Sequence, residues 1–172
     1  MRHSCVLALI FFLLSSGKLY AAEAIYASVP DAAVVGHGEL NYIFWDIYDA
    51  TLYAPRGKWN PDKSFALSIE YHCDIDGKEI ADRAIAEMRN QGFSNEIKLA
   101  TWDGQMKSIF PDVKNGTVLS AIYIPGKQTV FYDGDKVIGA IKGDDFGKLF
   151  FGIWLSEKTS EPDLRRALLG IS

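Results

Sequence analysis

The sequence predicts an α+β domain in which a mainly antiparallel sheet is covered on one face by helices. Strand-like segments occur in two blocks, and each block is followed by two helical segments instead of alternating with them. Within the second block, short turn signals separate the strands, which favours antiparallel neighbours. No repeat, low-complexity tract or long linker interrupts the chain after its N-terminal segment, so a single domain is expected.

The first 24 residues predict a signal peptide. Arg2 precedes an apolar run over residues 6–14, which is too short to span a bilayer, and "AAEA" at 21–24 has the small-residue spacing of a cleavage site. We therefore expect cleavage near Ala22 or Ala24, a mature domain over residues 25–172 and a periplasmic or secreted protein without a stable membrane anchor. An uncleaved anchor is the alternative.

The opening stretch, "ELNYIFWDIYDATLYAP" at 39–55, reads as two strands or one long bent strand. Period-2 alternation places Tyr42, Phe44, Asp46 and Tyr48 on one face of an extended strand. Neither face is purely apolar or purely polar, so we expect both to be covered at least in part, with a ligand as one cover. After the breaker "APRGKWNPDK", the segment "FALSIEY" at 65–71 alternates cleanly and predicts a strand with one buried face.

Two helices are predicted next. Asp76 and Glu79 suit the N-terminal cap of the first helix, and Gly92 suits its end. Its apolar stripe comprises Ile80, Ala84, Ile85 and Met88. The second helix begins at Ser94 or Asn95 and stops before Pro111. Its stripe comprises Leu99, Trp102, Met106 and Ile109.

The second block repeats this order. Three strand segments, "TVLSAIYI", "TVFY" and "KVIGAI", are separated by Pro125-Gly126 and by the hairpin signal Asp133-Gly134. A helix over "DDFGKLFFGIWL" follows, with its aromatic and aliphatic residues on one face. The last helix, in "TSEPDLRRALLG", is predicted to open with a capping box of Ser160 and Asp163 and to close on Gly170.

Composition argues against several kinds of function. The formal net charge is −4, and lysines and arginines are scattered among acidic residues, so nucleic-acid binding has no electrostatic basis. Only Cys73 follows the signal peptide, which rules out an intramolecular disulfide in the mature chain. His72 adjoins Cys73, but strand neighbours point to opposite faces, so we expect no catalytic dyad and an inert thiol. Ligand spacing for a metal is missing, and neither metal nor cofactor is predicted.

A ligand cleft is the strongest functional expectation from the residues themselves. Aromatic side chains are dense in the opening stretch, beside Asp46 and Asp49, as in an apolar pocket with few polar groups. On the first helix Arg83 and Glu87 stand four residues apart, which suits either a solvated charged face or the pocket. The predicted ligand-binding residues are Tyr42, Phe44, Asp46, Tyr48, Ile80, Arg83 and Glu87.

Five blocks in order, "FWDIYDATLYAP", "IADRAIAEMRNQG", "IFPDV", "FYDGDKVIGAI" and "FFGIWLSEKTSEPDLRRALLG", resemble the bacterial chalcone isomerase-like proteins over about residues 35–170. The resemblance implies the chalcone isomerase fold, an open-faced β-sandwich with a ligand cleft between sheet and helices. It also implies functions that range from flavanone ring closure to fatty-acid binding without catalysis.

The catalytic residues of the plant isomerases are not matched here. The resemblance places their arginine at Glu39 or Leu40 and their threonine at Tyr48. Their tyrosine and asparagine fall at Ile80 and Glu87, and a late hydroxyl falls near Gly147. Without a cation to hold a phenolate, the developing anion would lack stabilisation.

The sequence therefore predicts a non-catalytic binder of a small apolar or amphipathic ligand, fatty-acid-like or aromatic. One alternative is a lyase-type isomerase that uses Tyr48 as acid and Asp46 or Glu87 as base. Another is an envelope interaction module with a filled core and no ligand.

Overall fold

The computed structural model describes residues 16–171 and shows one six-stranded antiparallel sheet with five helices. The strands lie in sequence order. They are β1 Ala32–Tyr42, β2 Trp45–Pro55, β3 Phe65–Tyr71, β4 Val118–Ile124, β5 Gln128–Asp133 and β6 Lys136–Lys142. The helices are α1 Ser16–Ser28, α2 Gly77–Asn90, α3 Glu96–Ile109, α4 Asp144–Leu155 and α5 Pro162–Leu169. The predicted α+β class and block order are confirmed, while the apolar run at 6–14 lies outside the described residues.

One face of the sheet carries the main core. Phe65, Leu67, Ile69 and Tyr71 alternate along β3 and are buried under the helices, as period-2 alternation predicts. Helices α2, α3 and α4 supply the other side of this core, with Met88, Leu99, Met106 and Phe146 fully or almost fully buried. Helices are thus placed directly over the central strands.

The opposite face of the sheet is covered in part by α1. Ile25 and Val29 are buried there against Ala66 and Ile122. Strand β3 therefore has buried residues on both faces, which corrects the expectation of a single buried face, because a short helix N-terminal to the sheet folds under it. Among residues 16–171, helices of the length and apolarity needed to cross a membrane are absent.

Two predicted capping boxes are wrong in their side-chain contacts. Asp76 stands at the N-cap of α2, but the N–H of Gly77 donates to Asp112 Oδ1 at 2.9 Å, so a distant loop caps this helix. Helix α5 begins at Pro162 after Glu161, because proline suits the first helical position, and Ser160 donates elsewhere. The predicted ends at Gly92 and Gly170 are confirmed by left-handed φ values of 95° and 62°.

Helix α5 packs against the backbone of β1 at two glycines. A Cβ atom on Gly36 would lie 2.2 Å from the Ala167 carbonyl oxygen, and one on Gly38 would lie 2.8 Å from Leu164 Cδ1. Real Cβ atoms do not approach other atoms this closely. Glycine at both positions therefore lets α5 lie nearer to the strand than any side chain would permit.

The β1–β2 hairpin ends in an apolar two-residue turn. Tyr42 pairs with Trp45, so the turn consists of Ile43 and Phe44. Ile43 has a φ of 58°, a left-handed conformation in which a β-branched residue is strained. A register shift between Leu40 and Asn41 lets Leu40 pair with Tyr48 while Asn41 pairs with Asp46, so Ile47 is the extra residue of a β-bulge.

Candidate ligand cavity

A cavity of about 340 Å³ lies between the helix-covered face of the sheet and helices α2 and α4. All six strands contribute to its walls, which are mainly aliphatic and aromatic. Its volume lies within the range of roughly 300–1,000 Å³ that is typical of small-molecule sites. The cavity can therefore hold an apolar molecule of small to moderate size.

Charged residues mark where the cavity opens. Glu79, Arg83 and Glu87 recur every four residues along one side of α2, and Glu161 precedes α5. Residues four apart share one face of a helix, so the three α2 side chains form a row along the cavity. Glu79 and Arg83 line the cavity and are also solvent-exposed, which places its mouth between α2 and residues 160–161.

At this mouth one guanidinium is set among three carboxylates. Arg83 Nη2 lies 2.6 Å from Glu87 Oε1, and Ser160 Oγ donates to Glu87 Oε2 at 3.0 Å. Glu87 is only 4% exposed, so these contacts compensate a carboxylate that burial would otherwise disfavour. With Glu79 and Glu161 also present, the formal charge of the mouth is net negative.

Two tyrosines stand together in the cavity wall. Trp154 Nε1 donates to Tyr48 Oη at 2.8 Å, and the rings of Tyr48 and Tyr71 meet edge to face at 5.9 Å. Burial raises the pKa of Tyr48 to about 12, against the opposing effect of the Trp154 hydrogen bond, and Glu161 raises it further. Burial likewise raises the pKa of Tyr71. Both phenols are therefore protonated at neutral pH.

Four of the seven predicted ligand-binding residues line this cavity, namely Tyr48, Ile80, Arg83 and Glu87. The sequence is compatible with a solvated charged face or a pocket role for Arg83 and Glu87. Each interpretation describes one of them, because Arg83 is exposed and Glu87 is buried.

The other three predicted residues are placed elsewhere, which corrects their expected position in a cleft. Tyr42 and Phe44 lie at the exposed hairpin tip, because the chain turns at Ile43 and Phe44 instead of continuing as one strand. Asp46 is exposed, because the bulge at Ile47 breaks the period-2 alternation that related it to Tyr48.

The sequence reasoning missed several residues of the site. Trp154 was assigned only to the apolar face of α4, and its indole N–H carried no signal that it meets Tyr48. Ser160 was interpreted as a helix cap, yet it reaches Glu87 across 73 positions of sequence. Contacts of this range depend on how α4 and α5 fold back over the sheet, which local spacing does not encode.

The positions that the resemblance matched to isomerase catalytic residues mostly surround the same cavity. Leu40, Tyr48, Ile80 and Glu87 all line it, whereas Glu39 is exposed. Gly147 lies apart, since a Cβ there would meet Tyr123 and Thr129. Of the two positions that the resemblance offers for the arginine, Leu40 lies in the cavity wall and Glu39 does not.

His72 and Cys73 do not form a dyad. His72 Nε2 lies 3.1 Å from Asp49 Oδ2, and the Cys73 thiol lies 3.8 Å from the carbonyl oxygen of Ile47. Within residues 16–171, clusters of three or more His, Cys, Asp or Glu side chains that could hold a metal ion are absent.

This architecture defines a class of α+β proteins in which an antiparallel sheet and the helices on it enclose a binding cavity. The family model for chalcone isomerase-like proteins matches residues 33–170, and the chain belongs to that family. A search of curated protein sequences found no match.

Several solved structures are similar in fold, and one of them is a plant protein. The crystal structure of a fatty-acid binding protein from Arabidopsis thaliana superposes with a TM-score of 0.63 at 11% sequence identity. The match covers 81% of this chain and 87% of the plant chain. At this identity the likeness establishes the shared fold.

Proposed function

We propose that this protein binds one amphipathic molecule, with an apolar chain or ring system in the cavity and a polar head at its mouth. The observation that carries the proposal is the 340 Å³ cavity with apolar walls and a single polar end. Its support from comparison is the fold shared with a fatty-acid binding protein. An apolar molecule in a cavity of this size would make many favourable dispersion contacts with the walls.

The charge at the mouth favours an uncharged head. A carboxylate near Arg83 would gain from the guanidinium but would face Glu79, Glu87 and Glu161. Arg83 already pairs with Glu87, so much of its charge is compensated. A hydroxyl head can donate to a carboxylate and accept from Arg83 without this repulsion. We therefore expect a long-chain alcohol to bind more tightly than the acid of equal length.

The test is a calorimetric titration with two series of straight-chain compounds, alcohols and carboxylic acids, whose members differ by two carbons. Each buried CH2 contributes about 0.8 kcal/mol, so two added carbons should tighten binding roughly fifteen-fold until the cavity is full. The length dependence tests the apolar cavity, and the alcohol-to-acid ratio tests the charge of the mouth. Absence of binding in both series, or affinity independent of length, would contradict the proposal.

The proposed role is non-catalytic. Arg83 pairs with Glu87, and the two positions matched to the catalytic arginine hold Glu39 and Leu40. None of these places therefore supplies a free cation for a phenolate. In the alternative isomerase, Asp46 lies outside the cavity, which leaves Glu87 as the base facing Tyr48. Incubation with a hydroxychalcone, followed by absorbance, should show only the spontaneous rate. Turnover well above that rate would support the enzyme instead.

Export is part of the proposal. The apolar run and "AAEA" at 21–24 support cleavage near Ala22 or Ala24 and a periplasmic or secreted protein. Cleavage at either site keeps Ile25 and Val29, which pack beneath the sheet. N-terminal sequencing of protein from the native cell envelope should begin at Glu23 or Ile25, and a chain that starts at Met1 would refute export by this route.

A further inference from the structure

The tip of the β1–β2 hairpin is the longest run of consecutive exposed large apolar side chains in residues 22–171, the part of the chain whose side-chain exposure is described. Tyr42, Ile43, Phe44 and Trp45 are consecutive, and their exposed fractions are 68%, 73%, 95% and 70%. Scattered exposed apolar residues are ordinary on a protein surface, but a contiguous set at a protruding turn is typical of an interaction site.

The backbone of this tip is strained. Ile43 occupies the first position of a two-residue hairpin turn with a φ of 58°, where hairpins strongly favour glycine. A β-branched side chain in this conformation lowers the stability of the hairpin, and its apolar surface is left in water. Neither feature improves the fold, so the residues of the tip are better explained by what the tip contacts.

The tip lies just beyond one wall of the cavity. Leu40 and Ile47 line the cavity, and each is two residues from the end of its strand, which places the tip about 7 Å beyond the cavity wall. A surface that receives the tip would therefore lie close to the wall formed by Leu40 and Ile47.

We propose that the hairpin tip inserts into the interface of a lipid bilayer of zwitterionic composition. Tryptophan and tyrosine concentrate at membrane interfaces, where the ring is apolar and its polar atom stays hydrated, and phenylalanine and isoleucine extend into the acyl region. Residues 39–49 contain Glu39, Asp46 and Asp49 and no lysine or arginine, so the tip has no attraction for anionic lipids.

The size of the patch favours a bilayer over a second copy of the chain. Four large side chains of roughly 200 Å² each, exposed by about three quarters, offer about 600 Å². A stable protein–protein interface takes about 800 Å² from each partner over a broad surface. The apolar surface of a narrow turn points in several directions and does not form a flat patch. Such a shape suits insertion into a fluid lipid phase, which can surround it.

Sedimentation with phosphatidylcholine vesicles tests the inference with the mature protein. The double substitution Ile43→Gly and Phe44→Ser removes two side chains and also relieves the strained φ, so the variant should fold at least as well. Ile97→Ser is the matched control, because Ile97 is an 83% exposed apolar residue on α3 away from the tip. We expect the tip variant to lose binding at least tenfold and the control to bind like the parent.

The outcomes separate this inference from the proposed ligand binding, which it goes beyond. Titration of the tip variant with a soluble short-chain alcohol, without vesicles, should match the parent. Equal vesicle binding by tip variant and parent, or stronger binding to phosphatidylglycerol than to phosphatidylcholine, would overturn the inference. Self-association that the tip substitutions abolish, without vesicle binding, would also overturn it and assign the tip to a second copy. Vesicle binding without alcohol binding would instead contradict only the ligand proposal.

Discussion

Filling the cavity with a larger side chain should stabilise the ligand-free protein. Ala84 lines the cavity from α2, and Ala84→Leu would add three carbons to its wall. A cavity of about 150 Å³ accepts benzene, so 340 Å³ has room for an isopropyl group. At about 0.8 kcal/mol per buried carbon, the free energy of unfolding should rise by about 2 kcal/mol. For a domain of this size the melting temperature should rise by roughly 4–8 °C.

The matched control lies one turn earlier on the same helix. Ala81 is fully buried in the packed core, so Ala81→Leu should cost about 1–3 kcal/mol by overpacking. Both substitutions exchange the same residue types, which have similar helix propensities, so only the local space differs. The melting temperatures of both variants are compared with that of the parent. Alcohol titration of the folded variants then measures ligand binding. If Ala84→Leu lowers the melting temperature as Ala81→Leu does, the space is filled in solution and the cavity argument fails.

Three further predictions concern the mouth, the sheet and the pH dependence. Replacing Arg83 and Glu87 together by glutamine removes the ion pair without leaving a buried lone charge, and Glu79 and Glu161 keep the mouth net negative, so calorimetry should show that the preference for alcohols over acids persists; a preference reversed in favour of acids would contradict the charge argument. Gly36→Ala should lower the free energy of unfolding by more than about 2 kcal/mol, because its Cβ would collide with the Ala167 carbonyl oxygen, and a neutral effect in urea denaturation would show that α5 can move away. The pKa of Tyr48 is about 12 in the folded protein, against 10.0 for an ordinary phenol. The folded state therefore holds this proton more tightly than the unfolded state. The resulting stabilisation of the fold is complete below pH 10 and is lost between pH 10 and about 12. Over that pH range the free energy of unfolding of Tyr48→Phe should therefore fall by about 3 kcal/mol less than that of the parent. Parallel pH profiles for the two proteins would contradict this.

Much of the fold was predictable because its segments carry strong local signals. The alternation of "FALSIEY" gave the correct buried face of β3 toward the helices, and the glycines at 92 and 170 marked the helix ends. The block order of strands and helices was enough for the class, since segregated elements pack as helices on one face of an antiparallel sheet.

The candidate site was predictable only in part, because it depends on irregular backbone. A single extra residue, Ile47, removes Asp46 from the face that carries Tyr48, and period-2 reasoning has no means of locating such a bulge. The turn at Ile43 and Phe44 lacks the Asn-Gly or Asp-Gly signature of a hairpin, so the tip read as strand. Helix α2, by contrast, has regular spacing, and all three of its predicted residues line the cavity.

The close fit of α5 on Gly36 and Gly38 determines when the domain can be completed. It joins a strand near the start of the chain to a helix about 130 residues later, a contact that loop closure makes slow to form. During synthesis from the N-terminus, β1 is made well before α5 and waits for that helix to be released. In that interval the face of β1 that α5 will cover is open to contact with another unfinished chain, and docking of α5 on the two glycines ends that exposure.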